Sequence, residues 1–332
     1  MSKTIYVCPE TNAALELVVE KEGNGVIQAG YFKNPEGEKY AIKNGFPDFT
    51  YPRCLTQKQE EQYNYYETNA DAYDTIQGVT FDLHREDEDK VRKDMVSQLQ
   101  LKPNSKVLEL SCGTGRDSVN IAAHLSKGGE LFVQDISGSM LQKCRDKLQS
   151  SEVPVDYSIG NASYLAFPDN HFDATFSFGG LNVYEDLKRS LAEMVRVTKP
   201  GGRIVVGDES LPLWLYETEF GKTLLNANPL FKFKVPYESI PVEARDVTVK
   251  WIIGGVYYLI SFTVGEGEPK GNFDLEIPGK RGGTLNTRYH GQLEGVSQET
   301  KKLVRQAAEK NKVSVHKWLD QVLKSEAEKQ IN

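Results

Sequence analysis

The stretch LELSCGTGRDS, residues 108–118, runs from apolar residues into two glycines, Gly113 and Gly115, with a carboxylate, Glu109, just ahead of them. A strand that ends in such a turn and opens a helix presents free backbone N–H groups and lets a ligand approach the main chain closely. Twenty residues beyond Gly115, Asp135 closes the next apolar run, ELFVQD, where it can accept hydrogen bonds from both hydroxyls of a ribose. Two kinds of nucleotide ligand satisfy that pattern. Gly113, Gly115 and Ser118 make a G-x-G-x-x-S near-match to the dinucleotide fingerprint, whose ligand carries a negative pyrophosphate. Glu109 would oppose that charge.

The same carboxylate would attract the ammonium and sulfonium of S-adenosylmethionine (SAM), so the charge beside the turn favours the cationic ligand. To bring Glu109, the glycines and Asp135 together the chain needs parallel strands with crossover helices. From Lys106 it alternates accordingly: KVLEL, RDSVNIAAHL, ELFVQD, SMLQKCRDKL, VDYSIG, FDATFSF, DLKRSLAEMVRVT and RIVVGD. That order predicts an α/β sheet wound on both faces. Ser137 is placed to cap the second helix while Met140, Leu141, Cys144 and Leu148 face the sheet. TKPGG after Val197 stops a helix, and DVTVKWIIGGVYYLISFTV, residues 246–264, reads as a hairpin turning at Gly254 and Gly255.

Composition narrows the class. At 39% hydrophobic and 26% charged the chain is of ordinary globular type, and no apolar run approaches the roughly eighteen residues of a membrane span. MSKTIYVCPE lacks the basic and apolar segments of a secretory signal, so a cytoplasmic location is expected. Cys8, Cys54, Cys112 and Cys144 form no CxxC pair, which argues for free thiols over a disulfide framework or structural zinc. A net charge of −7 disfavours nucleic acid and points to a small substrate.

Four motifs in order resemble the class I SAM-dependent methyltransferases, closest in pattern to the ubiquinone/menaquinone-biosynthesis type. They are VLELSCGTGRDS, FVQDISGSML, GNASYLAFPDNHFDATFS and EMVRVTKPGGRIVVGDE, and the resemblance spans roughly residues 60–265. It implies a doubly wound seven-stranded sheet of order 3-2-1-4-5-7-6 whose last strand is antiparallel, the 246–264 hairpin supplying strands six and seven. It also implies that Glu109, Ser111, Gly113 and Gly115 surround the methionine portion, Asp135 the ribose, Ile136 and Met140 a face of the adenine, and Asn161 and Ala162 its edge. Ser177, at the end of the fourth strand, completes the cofactor set. Ser111 stands where the family usually has glycine, and Asn161 where it usually has aspartate; an amide can both donate and accept.

The resemblance further implies that Tyr66 and Tyr73, in YNYYETNADAYD, fold over the cofactor, where aromatic faces favour a sulfonium. The same segment runs into HREDEDK, a charge run that reads as a solvated helix face. The methyl group is activated by SAM itself, so the protein must align an acceptor and exclude water. Candidates for that task are Asn182, at a position that often points toward the methyl, and His84, the preferred titratable group. Phe178, Glu209, Trp214 and Arg288 are the candidate acceptor contacts, the glycine pair Gly179–Gly180 marking a close approach to the backbone. No NPPY-like sequence or proline–cysteine nucleophile follows the fourth strand, which weighs against methylation of planar nitrogens or bases.

The flanks remain. Residues 1–55 read as a small β-rich unit resembling the zinc-ribbon-like domain that precedes many methyltransferases; lacking the paired cysteines, it is expected to bind no metal and to rely on apolar residues. Residues 56–265 form the catalytic domain and 266–332 an appendage: a basic loop with Arg281, Arg288 and His290, then two amphipathic helices capped by Ser297 and Ser314. Leu303, Val304 and Ala307 line one helix, and Val315, Trp318, Leu319 and Val322 the other. The appendage could pair two subunits; with Leu293, Glu294 and Val296 as its lead strand it faintly resembles a ribbon-helix-helix module, though with poor residues for reading bases. The expected function is methyl transfer from SAM to a small organic acceptor. Its rivals are a SAM-responsive regulatory protein whose tail contacts DNA or a partner, and an RNA methyltransferase.

Overall fold

The computed structural model describes residues 5–23, 26–54, 56–290 and 297–331. They form two compact units, divided between Glu268 and Pro269. The first opens with an antiparallel meander, β1 (Glu16–Gly23), β2 (Val26–Lys33), β3 (Lys39–Lys43) and β4 (Phe46–Pro47). Asn44 and Gly45, at φ +52° and +80°, form the two-residue turn between β3 and β4, the turn that Asn-Gly favours because both positions need positive φ. Asn34 holds the wider β2–β3 turn, its Oδ1 accepting from Glu38 N at 2.8 Å.

After helices α1 (Gln57–His84) and α2 (Glu88–Ser97) come β5 (Lys106–Leu110), α3 (Arg116–Ala123), β6 (Glu130–Asp135), α4 (Gly138–Leu148), β7 (Val155–Ile159), β8 (Phe172–Phe178), α5 (Leu187–Val197), β9 (Thr198–Glu209), α6 (Glu219–Ala227), β10 (Ala244–Ile252) and β11 (Tyr257–Val264). Seven strands form one sheet in the order β7-β6-β5-β8-β9-β11-β10. Neighbours from β7 to β9 pair in parallel, and β11 runs antiparallel to both β9 and β10. Alternate residues feed opposite cores: Leu108, Leu110 and Phe132 pack with α5, whereas Val107, Leu131 and Val133 pack with α2, α3 and α4. Both faces are therefore buried, as crossover helices require. Ser137 caps α4 by accepting from Met140 N at 3.1 Å, and Met140, Leu141, Cys144 and Leu148 are buried.

The meander shares a core with the sheet. Tyr6, Cys8, Leu15, Phe32, Tyr40 and Phe49 cluster with Phe132, Phe167 and Phe172, the Tyr6 ring lying 4.5 Å from Phe49 and 5.5 Å from Phe167. Asp48 bridges Ile159 in parallel, and Phe49 N donates to Ile159 O at 2.8 Å, so this segment covers the exposed edge of β7. Cys8 Sγ lies 3.2 Å from the Tyr40 hydroxyl.

The charge run HREDEDK is largely exposed, as expected, but it spans a break between two helices instead of one helix face. The chain breaks at Arg85, φ +55°, and Asp87 caps α2 by accepting from Lys90 N at 3.1 Å. Glu88 accepts from Arg92 Nε at 2.6 Å and pairs with Arg116, while Arg92 NH1 donates to Asp117 Oδ2 at 2.7 Å. Arg92 is only 7% exposed, and a buried guanidinium must be met by carboxylates.

The second unit contains α7 (Leu285–His290), α8 (Gln298–Lys310) and α9 (Val315–Ile331). Ser297 and Ser314 accept from Thr300 N and Lys317 N, each at 3.2 Å. Ala308 is the buried residue of α8; Leu303, expected on the inner stripe, is exposed, as is Val322 on α9. Leu293, Glu294 and Val296 lie outside the described residues. No helix among the described residues is long and apolar enough to cross a membrane.

Candidate functional site

The turn after β5 coils tightly because Ser111, Gly113 and Gly115 all take positive φ, +53°, +52° and +85°. At Gly115 a side chain is also excluded by packing, since an added Cβ would lie 2.7 Å from Cys144 Sγ on α4. This path aims the Gly113 N–H at Asp135, whose Oδ2 accepts it at 2.8 Å; Oδ1 accepts from Ser137 N at 3.0 Å. Burial pushes the Asp135 carboxyl up to about 6, against the lowering pull of those backbone donors.

Above this turn the ends of β5, β6 and β8 open into a cleft of about 800 Å³, its open mouth included. Asp135, Ile136 and Met140 form one side, Asn161 and Ala162 another, and Tyr66 and Tyr73 descend from α1 with their rings edge to face, 6.2 Å apart. Burial raises both phenols above their ordinary range. Ser111, Gly113, Gly179 and Gly180 line the same space. The structure thus brings together most of the residues expected around the cofactor.

Several expected roles are altered. The close approach at Gly180 is made by a protein side chain: an added Cβ there would lie 2.5 Å from Ser111 Oγ and 2.7 Å from Ser111 Cβ. The serine that replaces the usual glycine is accommodated by a glycine on the next strand end. Gly179 has open space around it and is explained by its φ of +78°. Ser177 is buried beneath the cleft, and the Tyr184 hydroxyl ties it to Ser111, at 2.9 and 2.8 Å; burial pushes that phenol up to about 12. Asn161 has its amide engaged, Nδ2 donating to Tyr51 O at 3.0 Å and Oδ1 accepting from Ser163 N at 2.9 Å.

Glu109 is the main correction. It is 2% exposed and lines neither the cleft nor the pocket beside it. Burial, reinforced by the nearby Asp117, pushes its carboxyl well above the usual range, and its Oε2 has no hydrogen-bond partner among the described residues. Asp117, itself buried, lines a second pocket that shares Tyr73, Ser111, Gly113 and Gly179 with the cleft. Arg92 holds Asp117 Oδ2, while Oδ1 is buried without a partner among the described residues. A helix residue eight positions beyond the charge that caught attention in the sequence therefore lines the pocket, because it falls in the first turn of α3.

Phe178 and Glu209 line this second pocket, joined by Phe81, Ile253 and Tyr257. The Tyr257 hydroxyl donates to Glu209 Oε1 at 3.1 Å. Asn182 is not available to an acceptor: its Nδ2 donates to Glu209 O at 2.8 Å and its N–H to Asp208 Oδ2 at 2.7 Å. His84 ends α1 under the β10–β11 turn, where an added Cβ at Gly254 would lie 2.6 Å from its Nδ1. Burial lowers its pKa and it lines neither space. Trp214 is 69% exposed, edge to face with Trp251 at 5.7 Å. The Arg288 side chain falls outside what the structure describes. Asp117, Tyr184, Tyr257 and Gln134 were missed in the sequence. For Gln134, an amide inside the apolar strand ELFVQD, composition carried a signal; for the others, partners distant in sequence decide the role.

Residues 55–221 match the profile of the ubiE/COQ5 methyltransferase family. Two curated relatives, demethylmenaquinone methyltransferases of Bacillus mycoides and Listeria welshimeri, are 34% and 35% identical over 158 residues, 47% of this chain. The chain spans 65% of the length of each. A solved SAM-dependent methyltransferase from Aquifex aeolicus aligns with 52% of this chain and 89% of its own at 15% identity and a TM-score of 0.40.

The pairing of Ser111 with Gly180 is testable by a double-mutant cycle. Gly180→Ala is expected to cost about 1–3 kcal/mol of unfolding free energy in urea titrations by overpacking, and Ser111→Gly in the same chain should recover most of it. Additive losses would refute the compensation.

Proposed function

This chain belongs to the ubiE/COQ5 methyltransferase family, and from that premise we propose that it transfers the methyl group of SAM to a small organic acceptor. The strand order, counted within this domain as 3-2-1-4-5-7-6 with the seventh strand reversed, supports the assignment. The observation that carries it is the junction of two spaces at Ser111, Gly113 and Gly179: a cleft with a ribose-ready carboxylate on one side, and a pocket with a proton acceptor on the other.

The residues fit such a ligand. Asp135 would accept from the ribose hydroxyls, Ile136, Met140 and Ala162 would flank the base, and the rings of Tyr66 and Tyr73 would cover the cofactor and exclude water. Asp117, which lines the second pocket where Glu109 does not, is the carboxylate we assign to the ammonium of the methionine tail. SAM supplies an electrophilic methyl carbon; the protein supplies alignment and a destination for the acceptor's proton. In our reading Glu209, oriented by Tyr257, takes a proton from an acidic O–H or C–H of the acceptor. The acceptor's electron pair then forms the new bond to the methyl carbon as the S–C bond breaks, leaving S-adenosylhomocysteine. Phe81, Phe178 and Ile253 give the pocket an apolar side that suits an aromatic or quinone-like ring, the kind of acceptor named for the curated relatives.

Calorimetry is expected to give binding of S-adenosylhomocysteine and none of NAD; the reverse result would end this proposal. Asp117→Asn should weaken S-adenosylhomocysteine while leaving 5′-methylthioadenosine, which lacks the amino-acid tail, nearly unchanged. A second expectation concerns pH. Ribose hydroxyls donate to the ionised form of Asp135, so affinity should be full above about 6 and decline as pH falls through that value, approaching about tenfold per unit. Loss of affinity on the alkaline side instead would remove Asp135 from the ribose site. Glu209→Gln should reduce kcat by about 10²–10⁴ with S-adenosylhomocysteine affinity unchanged, measured with a demethylated naphthoquinol as acceptor; full activity would exclude Glu209 as the base.

A further inference from the structure

A methyl donor must be recognised at its base as well as at its sugar, and the amide expected to do so is engaged elsewhere. Asn161 gives one N–H to Tyr51 O and receives Ser163 N, anchoring the N-terminal strands rather than facing a ligand with its amide free. Gln134 is different. It is 1% exposed, lines the cleft next to Asp135, and its Oε1 has no hydrogen-bond partner among the described residues.

The amide lies against a backbone that carries no side chain. An added Cβ at Gly160 would lie 2.8 Å from Gln134 Cδ, 2.9 Å from Oε1 and 3.1 Å from Nε2, so the missing side chain at 160 is what gives the carboxamide its room. The flanking β6 residues Leu131, Phe132 and Val133 are buried and apolar, and a glutamine among them forfeits hydrogen bonds that water would otherwise supply. An unpartnered polar group kept in such a place, on a side chain that lines a cleft, is one that a ligand donor can satisfy. A carboxamide offers an acceptor and a donor side by side, the complement of adenine's amine and adjacent ring nitrogen, and this is how Gln reads adenine in nucleic acids.

We propose that Gln134, rather than Asn161, is the residue through which the cleft selects an adenine-bearing ligand. This rests on the methyl-donor reading and adds to it the determinant of base specificity. The Gln134 amide meets the exocyclic amine, and Gly160 keeps the space for it.

The test compares S-adenosylhomocysteine with its analogue bearing hydrogen in place of the 6-amine, a change that removes the donor without introducing a new acceptor. The wild-type protein is expected to prefer the amine-bearing ligand by about 5- to 100-fold in calorimetry. In Gln134→Leu that preference should collapse to about twofold or less, with the analogue bound as by the wild type. Gln134→Met, closer in length and flexibility, should give the same collapse and serves if the leucine variant does not fold. An unchanged preference in the folded variant overturns the role of Gln134 and leaves the methyl-donor reading standing. Failure of the wild type to bind either ligand overturns both.

Discussion

The hydrogen bond from the Gly113 N–H to the Asp135 carboxylate joins the turn after the first parallel strand of the sheet to the end of the second. It exists because Ser111, Gly113 and Gly115 adopt left-handed backbone conformations, which swing the amide sideways instead of along the strand. It is maintained because Gly115 allows α3 to pack directly on Cys144 of α4. Asp135 in turn receives Ser137 N, the residue that caps α4, so one buried carboxyl orients the starts of two helices. A carboxyl so deeply placed is costly to ionise, and its raised pKa records that cost. The cleft and the pocket beside it are both built around this point.

Helix α1 closes the cleft from above and is held along its flanks by polar contacts rather than by a broad apolar face. Glu67 accepts from Ser139 N at 3.3 Å, Asp74 pairs with Lys147, and the Asp74 carbonyl accepts from Arg116 NH1 at 2.6 Å. Such pairs at the surface contribute little individually. The apolar share of the attachment falls to a few residues, among them Ala70 and Phe81, together with the two tyrosines that face the cleft. The pocket side is more rigid: Arg92 is bracketed by Glu88 and Asp117 across α2 and α3, and removing either carboxylate would leave a buried cation short of partners.

The N-terminal meander is tied to the sheet by shared apolar packing. It does not build a core of its own but contributes Tyr6, Phe32, Tyr40 and Phe49 to the core beneath β6 and β8. In the same act it covers the edge of β7 through Asp48 and Phe49 and fixes Asn161 through the Tyr51 carbonyl. An element that looks accessory in the sequence is thereby continuous with one wall of the site.

Much of this protein was legible in the chain itself. Alternating apolar runs and helix patterns, the glycines after KVLEL, the serine before Met140 and the glycine pair in the 246–264 hairpin each act through local sterics and hydrogen bonding, so neighbours in sequence suffice to determine them. Asp135 follows from its place at a strand end, and the family resemblance supplied Ile136, Met140, Ala162, Tyr66 and Tyr73, all of which line one cleft. What the tertiary structure alone decided was which polar groups remain free. Glu109 lines neither space, the Asn161 and Asn182 amide N–H groups are taken up by backbone carbonyls of distant residues, and His84 is packed under a hairpin, while Asp117 and Gln134 each keep a buried, unmet oxygen on a side chain that lines a space. Whether a buried carboxyl or amide is satisfied depends on partners tens of residues away, and no local pattern encodes them.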